Sequence, residues 1–167
     1  MTNKRLMYHT QEKRGTRLTA PEICTKNNAW LGNGYYFWDD LMDAFKWGND
    51  SKKATGSYEV YKADIDCENV LDTVFDEDSY KFWVRQIEKF AKQFDGKFGK
   101  PTIKDFNSYC VSRQIWRDIS GILFQDLPTK PEELIVEKLF HRKRIQAAVF
   151  DLVIINNFVF HSEDRCT

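Results

Sequence analysis

The spacing of apolar residues changes period twice along this chain, and the order of those changes constrains its fold more than anything else in the sequence. A short apolar stretch at residues 6–9 reads as a first strand, and strict alternation over 57–65 reads as another. Helical spacing follows at 79–94, where Phe82, Trp83, Ile87, Phe90, Ala91 and Phe94 recur near a period of 3.6. Asp95-Gly96 and Gly99-Lys100-Pro101 break that helix. Thr102 with Asp105 then forms a capping-box start for a second helix, predicted to run to about Ser120 with Ile103, Phe106, Cys110 and Trp116 on one face. Strand patterns return at 122–125, which ends before Pro128 and Pro131, and again at 145–151, 153–155 and, briefly, 158–160. Residues 132–140 fit either a helix or a strand. Strands, a helical middle and more strands make an α+β chain, not the βαβ alternation of a doubly wound sheet. At 167 residues it is predicted to be a single domain spanning 1–167.

Between the first two strands lies Trp30-Leu31-Gly32-Asn33-Gly34-Tyr35-Tyr36-Phe37-Trp38. Two glycines one residue apart, followed by four aromatics, predict a tight turn running into a strand. Asp39 or Asp40 can cap a following helix over 41–47, with Gly48 as its stop.

Composition excludes several classes. Lys plus Arg and Asp plus Glu both number 25, so the chain lacks the basic field of a general nucleic-acid binder. No apolar run is long enough for a membrane span. The stretch MTNKRLMYHTQEKRG has no apolar h-region, so no secretory signal is expected. Cys24, Cys67, Cys110 and Cys166 are widely scattered, which indicates neither a disulfide framework nor a zinc site. The expectation is reduced thiols, no metal, and a cytoplasmic protein.

Three segments carry candidate chemistry: Tyr8-His9-Thr10 at the end of the first strand, Gly32-Asn33-Gly34-Tyr35-Tyr36-Phe37 with Ala44 and Trp47 beyond it, and Gln146-Ala147-Ala148-Val149-Phe150-Asp151 in a late strand. Each alone reads as ordinary structure. Together, in this order, they resemble the His-Tyr-Glu class of ADP-ribosyltransferases, the diphtheria-toxin and poly(ADP-ribose) polymerase group. In that family a strand ends in His followed by Gly or Thr. A G-x-G-x-Y-F stretch then supplies a Tyr, and a short helix adds a small residue and an aromatic. A late strand supplies a Glu. The strand at 59–65 followed by Asn69-Val70-Leu71-Asp72 is also similar to small bacterial members.

The resemblance implies an ADP-ribosyltransferase-like split β-sheet core that consumes NAD as co-substrate. His9 would hydrogen-bond a ribose hydroxyl on the adenosine side. The backbone of Thr10 would hold the nicotinamide carboxamide. Tyr36 would stack on the nicotinamide ring, with Trp47 on its other side, and Gly32 and Gly34 would let backbone approach the ligand. Ala44 matches the small residue of the helix. The third catalytic position falls on Gln146, where the family has Glu. Its carboxylate grips the 2′-hydroxyl and places charge near an oxocarbenium-like transition state. Gln keeps the hydrogen bond through its carbonyl oxygen but brings no charge, a loss on the order of 10²–10³ in rate. Relatives that depart from Glu here transfer a single ADP-ribose or are inactive, so Gln146 disfavours polymer formation. Glu137 and Asp151 are the nearest carboxylates in sequence that could substitute, and His141, in a basic turn, is a further candidate contact for phosphates or an acidic target. The late strand has no E-x-E pair, which disfavours arginine as acceptor.

The function implied is mono-ADP-ribosyl transfer to a macromolecular acceptor, either protein or nucleic acid, as in a small bacterial or phage toxin or modifying enzyme. That reading leaves room for an antitoxin or immunity protein, and it makes 79–120 the natural segment for recognising a target. Three other readings stay open. One is a member of the fold that binds NAD, ADP-ribose or a partner without turnover. Another is an NAD glycohydrolase with water as acceptor. The third is an unrelated α+β interaction domain whose motifs match by chance.

Overall fold

The computed structural model describes residues 3–26, 29–93, 101–126 and 143–167, together with the backbone of the short strands β6 (Leu134–Val136) and β7 (Leu139–Phe140). The first strand, β1 (Lys4–Glu12), is longer than its apolar stretch at 6–9. The cause is its partner. Every β1 residue is in antiparallel register with β3 (Ser57–Asp66), from Lys4 opposite Asp66 to Glu12 opposite Tyr58. A full ladder carries polar residues into a strand that their own propensity would not place there. The same reason extends the predicted short strand at 158–160 into β9 (Ile155–Arg165), which pairs along β3 from Ser57 to Ile65.

The remaining elements are β2 (Tyr35–Trp38), α1 (Leu41–Ser51), β4 (Val70–Asp72), α2 (Glu77–Gln93), α3 (Ile103–Ser112), β5 (Gly121–Asp126) and β8 (Arg144–Val149). Among the described residues these give an α+β fold with three helices and a seven-stranded mixed sheet, ordered β4-β5-β8-β2-β1-β3-β9. Among the described strands only β4 and β5 run parallel. The strands form one sheet with a weak joint. β2 meets β8 over its whole length, Tyr35–Trp38, but meets β1 only where Tyr8 faces Trp38.

Three boundaries differ from the sequence reading, each for a local reason. The predicted stop at Gly48 lies inside α1, which continues to a cap at Lys52. Gly48 is there because the helix lies almost against β3: a Cβ on it would stand 2.3 Å from Cδ2 of Tyr58. Helix α3 begins at the predicted capping box on Thr102 and Asp105 but ends at Ser112, not Ser120. Gln114 turns to φ 57°, and the reversal returns Trp116 to Phe106, ring centroids 5.8 Å apart, with Nε1 donating to Asn107 Oδ1 at 3.0 Å. Residues 152–154 form a single 3-10 turn capped by Asp151, not the predicted strand.

Two layers of core follow from the alternation. One face of the sheet buries Met7, Phe37, Ala63, Ile65, Leu123, Ile145, Ala147 and Val149, with Phe158 of β9 curling over them. On the opposite face, α2 and α3 cover one half of the sheet through Trp83, Phe106, Cys110 and Ile122. Helix α1 covers the other half through Ala44, Trp38, Tyr58 and Val60. The helical middle is thus a layer of the core, and its apolar faces are used by the sheet. No helix among the described residues is long and apolar enough to cross a membrane.

Gly48→Ala tests the close approach of helix and strand. In an open helix the change would stabilise by up to about 1 kcal/mol. Here the clash with Tyr58 should destabilise by about 1–3 kcal/mol and lower the melting temperature by several degrees. An unchanged or higher melting temperature would contradict the packing.

Candidate functional site

The weak joint between β1 and β2 decides where a site can form. Lys13 N donates to Ser57 O at 3.1 Å and Cys67 N donates to Asn3 O at 2.7 Å, at the two ends of the β1–β3 ladder. Backbone groups alternate sides along a strand, so odd-numbered residues of β1 turn theirs to β3 and even-numbered residues turn theirs to β2. Tyr8 meets Trp38 there. Thr10 is the next even residue, and β2 does not pair with it. Its N–H and C=O face the gap where the strands part.

A cavity of about 330 Å³ fills that gap. It is walled by the end of β1, by β2, by the end of α1 and by residues 22–26 and 29–30. His9, Thr10, Tyr36, Trp47 and Gln146 all line it. The chain brings these together from four distant segments.

His9 is 5% exposed. Its Nδ1 lies 2.8 Å from the carbonyl oxygen of Tyr36. A carbonyl only accepts, so Nδ1 carries the proton and Nε2 is left as an acceptor. Nε2 is buried and has no hydrogen-bond partner among the described residues. Burial lowers the imidazole pKa; the Tyr36 carbonyl opposes this and Lys52 adds to it. The ring is therefore neutral at physiological pH.

Tyr36 spends its hydroxyl on the turn before it. The O–H donates to Gly32 O at 2.7 Å and accepts from Leu31 N at 3.0 Å. Burial pushes the phenol pKa well above its usual range. What Tyr36 can offer a ligand is the face of its ring. Thr10 Oγ1 donates to Ala44 O at 2.8 Å, which pins α1 beside the cavity. Gln146 projects opposite to Ile145 and Ala147, as alternation requires, and is 5% exposed. Its Oε1 accepts from Trp30 Nε1 at 2.8 Å.

Three residues of the motif are not on the cavity wall. Ala44 is fully buried beneath α1. A Cβ on Gly34 would stand 2.8 Å from Val149 O, and one on Gly32 would stand 3.2 Å from Cβ of Asn107. The glycines make room for β8 and α3, not for a ligand; Gly32 also holds φ 97°, which L side chains rarely adopt. Asp151 caps the 3-10 turn through Val153 N and does not line the cavity. Glu137 and His141 lie outside the described residues.

Sequence reasoning missed the charged wall. Arg14 pairs with both oxygens of Glu22 and reaches Glu12 at 3.3 Å, and Lys52 reaches Glu12 at 3.3 Å. Burial raises the Glu12 carboxyl pKa, but its own backbone amide, Lys52 and Arg14 outweigh this and hold it at about 2. Asp126 also lines the cavity, paired with Arg144 at 3.2 Å. It stands two residues along β5 from Phe124, which faces Gln146 across the ladder. Such charges come from segments whose local pattern marks only solvated polar positions, so they had no signal in sequence. Trp30 and Trp38 were visible as part of the aromatic run. Comparisons with protein-family models, with curated proteins and with solved structures find no match.

The buried neutral His9 predicts a pH-dependent stability. The unfolded chain takes up a proton near the ordinary value of 6.5, whereas the folded state resists it. Stability is therefore complete above that value and falls as pH is lowered through it. Melts at about pH 7.5 and about pH 5.5 should show a loss in the wild type that is smaller in His9→Asn. Equal losses in both would contradict the buried neutral imidazole. Tyr36→Phe should cost about 1–3 kcal/mol in the same assay, because it strands Gly32 O and Leu31 N.

Proposed function

We propose that this chain is an NAD-dependent mono-ADP-ribosyltransferase with an ADP-ribosyltransferase-like fold. One observation carries the reading: His9, Thr10, Tyr36, Trp47 and Gln146, named from motif resemblance alone, line one cavity at the parting of the sheet. The cationic nicotinamide ring lies on the face of Tyr36, with Trp47 opposite. Stacking and cation–π attraction there are worth about 1–2 kcal/mol. The carboxamide pairs with the cleft-facing backbone of Thr10. The Nε2 lone pair of His9 accepts from a ribose hydroxyl. Arg14, Lys26 and Lys52, at the wall, are the cations available to a pyrophosphate.

In the reaction the C1′–N bond breaks and its electron pair leaves with neutral nicotinamide. An acceptor nucleophile adds at C1′ and gives up its proton. The acceptor is a macromolecule, protein or nucleic acid, and the setting is the cytoplasm, in the manner of a small bacterial or phage toxin or modifying enzyme. Gln146 is neutral, which supports slow single transfer over chain elongation. It also favours a second reading, in which the cavity binds NAD or ADP-ribose without turnover.

Incubation with NAD labelled in the adenosine half, with cell lysate as acceptor source, separates the two readings. Transfer leaves label on macromolecules that protease or nuclease then releases. Tyr36→Ala should abolish both NAD binding by calorimetry and labelling, and equal affinity in wild type and variant would remove the site. Gln146→Glu places a carboxylate beside the nascent cation and should raise nicotinamide release on the order of 10²-fold. A rate indifferent to both Gln146→Glu and Gln146→Ala would take Gln146 out of the reaction.

A further inference from the structure

The bond between Trp30 and Gln146 fixes more than a side-chain position. An indole N–H can only donate, so the oxygen of the Gln146 amide must be the atom 2.8 Å from Trp30 Nε1. The amide nitrogen therefore occupies the other end of the group, and it makes no hydrogen bond among the described residues. Gln146 lines the cavity from the middle of β8, with β5 and β2 on either side.

Trp30 is itself firmly held. Its ring packs edge-on to Phe124 with centroids 5.3 Å apart at 82°. Its neighbour Leu31 is fully buried and donates its N–H to the Tyr36 hydroxyl. Gly32 N closes the turn onto Ala29 O at 2.9 Å. Rotating the Gln146 amide would bring its NH₂ against the indole N–H, and both groups would lose their bond.

We propose that Trp30 is a positioning residue that locks Gln146 as a hydrogen-bond donor toward the cavity, so that the site selects ligands by an acceptor atom at this point. His9 supplies the complementary feature: its free Nε2 accepts, so it reads a donor. The sequence-based expectation that Gln146 would use its carbonyl oxygen is reversed, because Trp30 has taken that oxygen. Resting on the NAD reading, the acceptor is the 2′-oxygen of the ribose beside the scissile bond. That hydroxyl receives a bond from Gln146 and keeps its own proton, so it is held but not polarised as a carboxylate would polarise it. A fluorine at the 2′ position, which accepts weakly and cannot donate, fits the same donor.

Two measurements on the full chain test this. The first uses no ligand. In nitrogen-edited NMR spectra the Trp30 indole proton should be shifted downfield and slow to exchange. Gln146→Leu should move it upfield and speed its exchange, whereas Gln146→Glu, which still offers an oxygen, should preserve it. An indole proton that ignores Gln146→Leu overturns the proposal. The second compares carba-NAD, whose glycosidic bond cannot be cleaved, with its 2′-deoxy-2′-fluoro derivative by calorimetry. The wild type should bind the two within about threefold of each other, and Gln146→Glu should prefer the hydroxyl by about tenfold or more. Trp30→Phe, which frees the amide to turn, should give an intermediate ratio, a readout that mere loss of packing would not move. A wild type that prefers the hydroxyl as strongly as Gln146→Glu does, or a Trp30→Phe ratio equal to that of the wild type, overturns the locking. If neither compound binds, the NAD reading fails, and the indole proton alone decides how the amide is held.

Discussion

One backbone pair, Tyr8 opposite Trp38, joins the two halves of this sheet. On one side of it β4, β5, β8 and β2 carry α2 and α3; on the other β1, β3 and β9 carry α1. A longer ladder there would close the gap and satisfy the backbone of Thr10 within the sheet. With one pair, the shared core of Met7, Phe37, Ala63 and Val149 and the His9 bond to Tyr36 O span the joint, and strand backbone is left facing a cavity, where a polar ligand can complete the hydrogen bonding.

Anchors outside the gap keep the cavity walls in place. Thr10 ties β1 to α1 through Ala44 O, and the Tyr36 hydroxyl ties β2 to the turn before it. Trp30 ties that same turn to β8 through Gln146. Cys24 and Gly34 pair backbone to backbone, so the loop forming the outer wall is fastened to the turn as well. Several of the site residues thus use their polar atoms on the protein. What they leave for a ligand is a ring face at Tyr36, a lone pair at His9 and an amide donor at Gln146. Arg14 and Lys52 are already matched by Glu12 and Glu22, so an anionic ligand must compete for them.

The α+β class was legible because the apolar period changes twice, and the capping box at Thr102 fixed the start of α3 from four residues. The convergence of His9, Tyr36 and Gln146 was legible only as a resemblance, since no local rule links residues this far apart. What the sequence concealed depended on partners. Gly48 reads as a helix stop until Tyr58 is packed against it. Gly32 and Gly34 read as room for a ligand until β8 and α3 fill the space. The length of β9 comes from β3, and the polarity of Gln146 comes from Trp30, 116 residues away. Each depends on a contact distant in sequence, which a periodicity cannot carry.

In the proposed function, the parting between β1 and β2 receives the nicotinamide end of NAD. A crystal structure of the chain soaked with nicotinamide tests it most directly. The expected density is a flat ring against the face of Tyr36, with its carboxamide on the N–H and C=O of Thr10. A ring bound elsewhere, or an empty cleft at saturating nicotinamide, would contradict it.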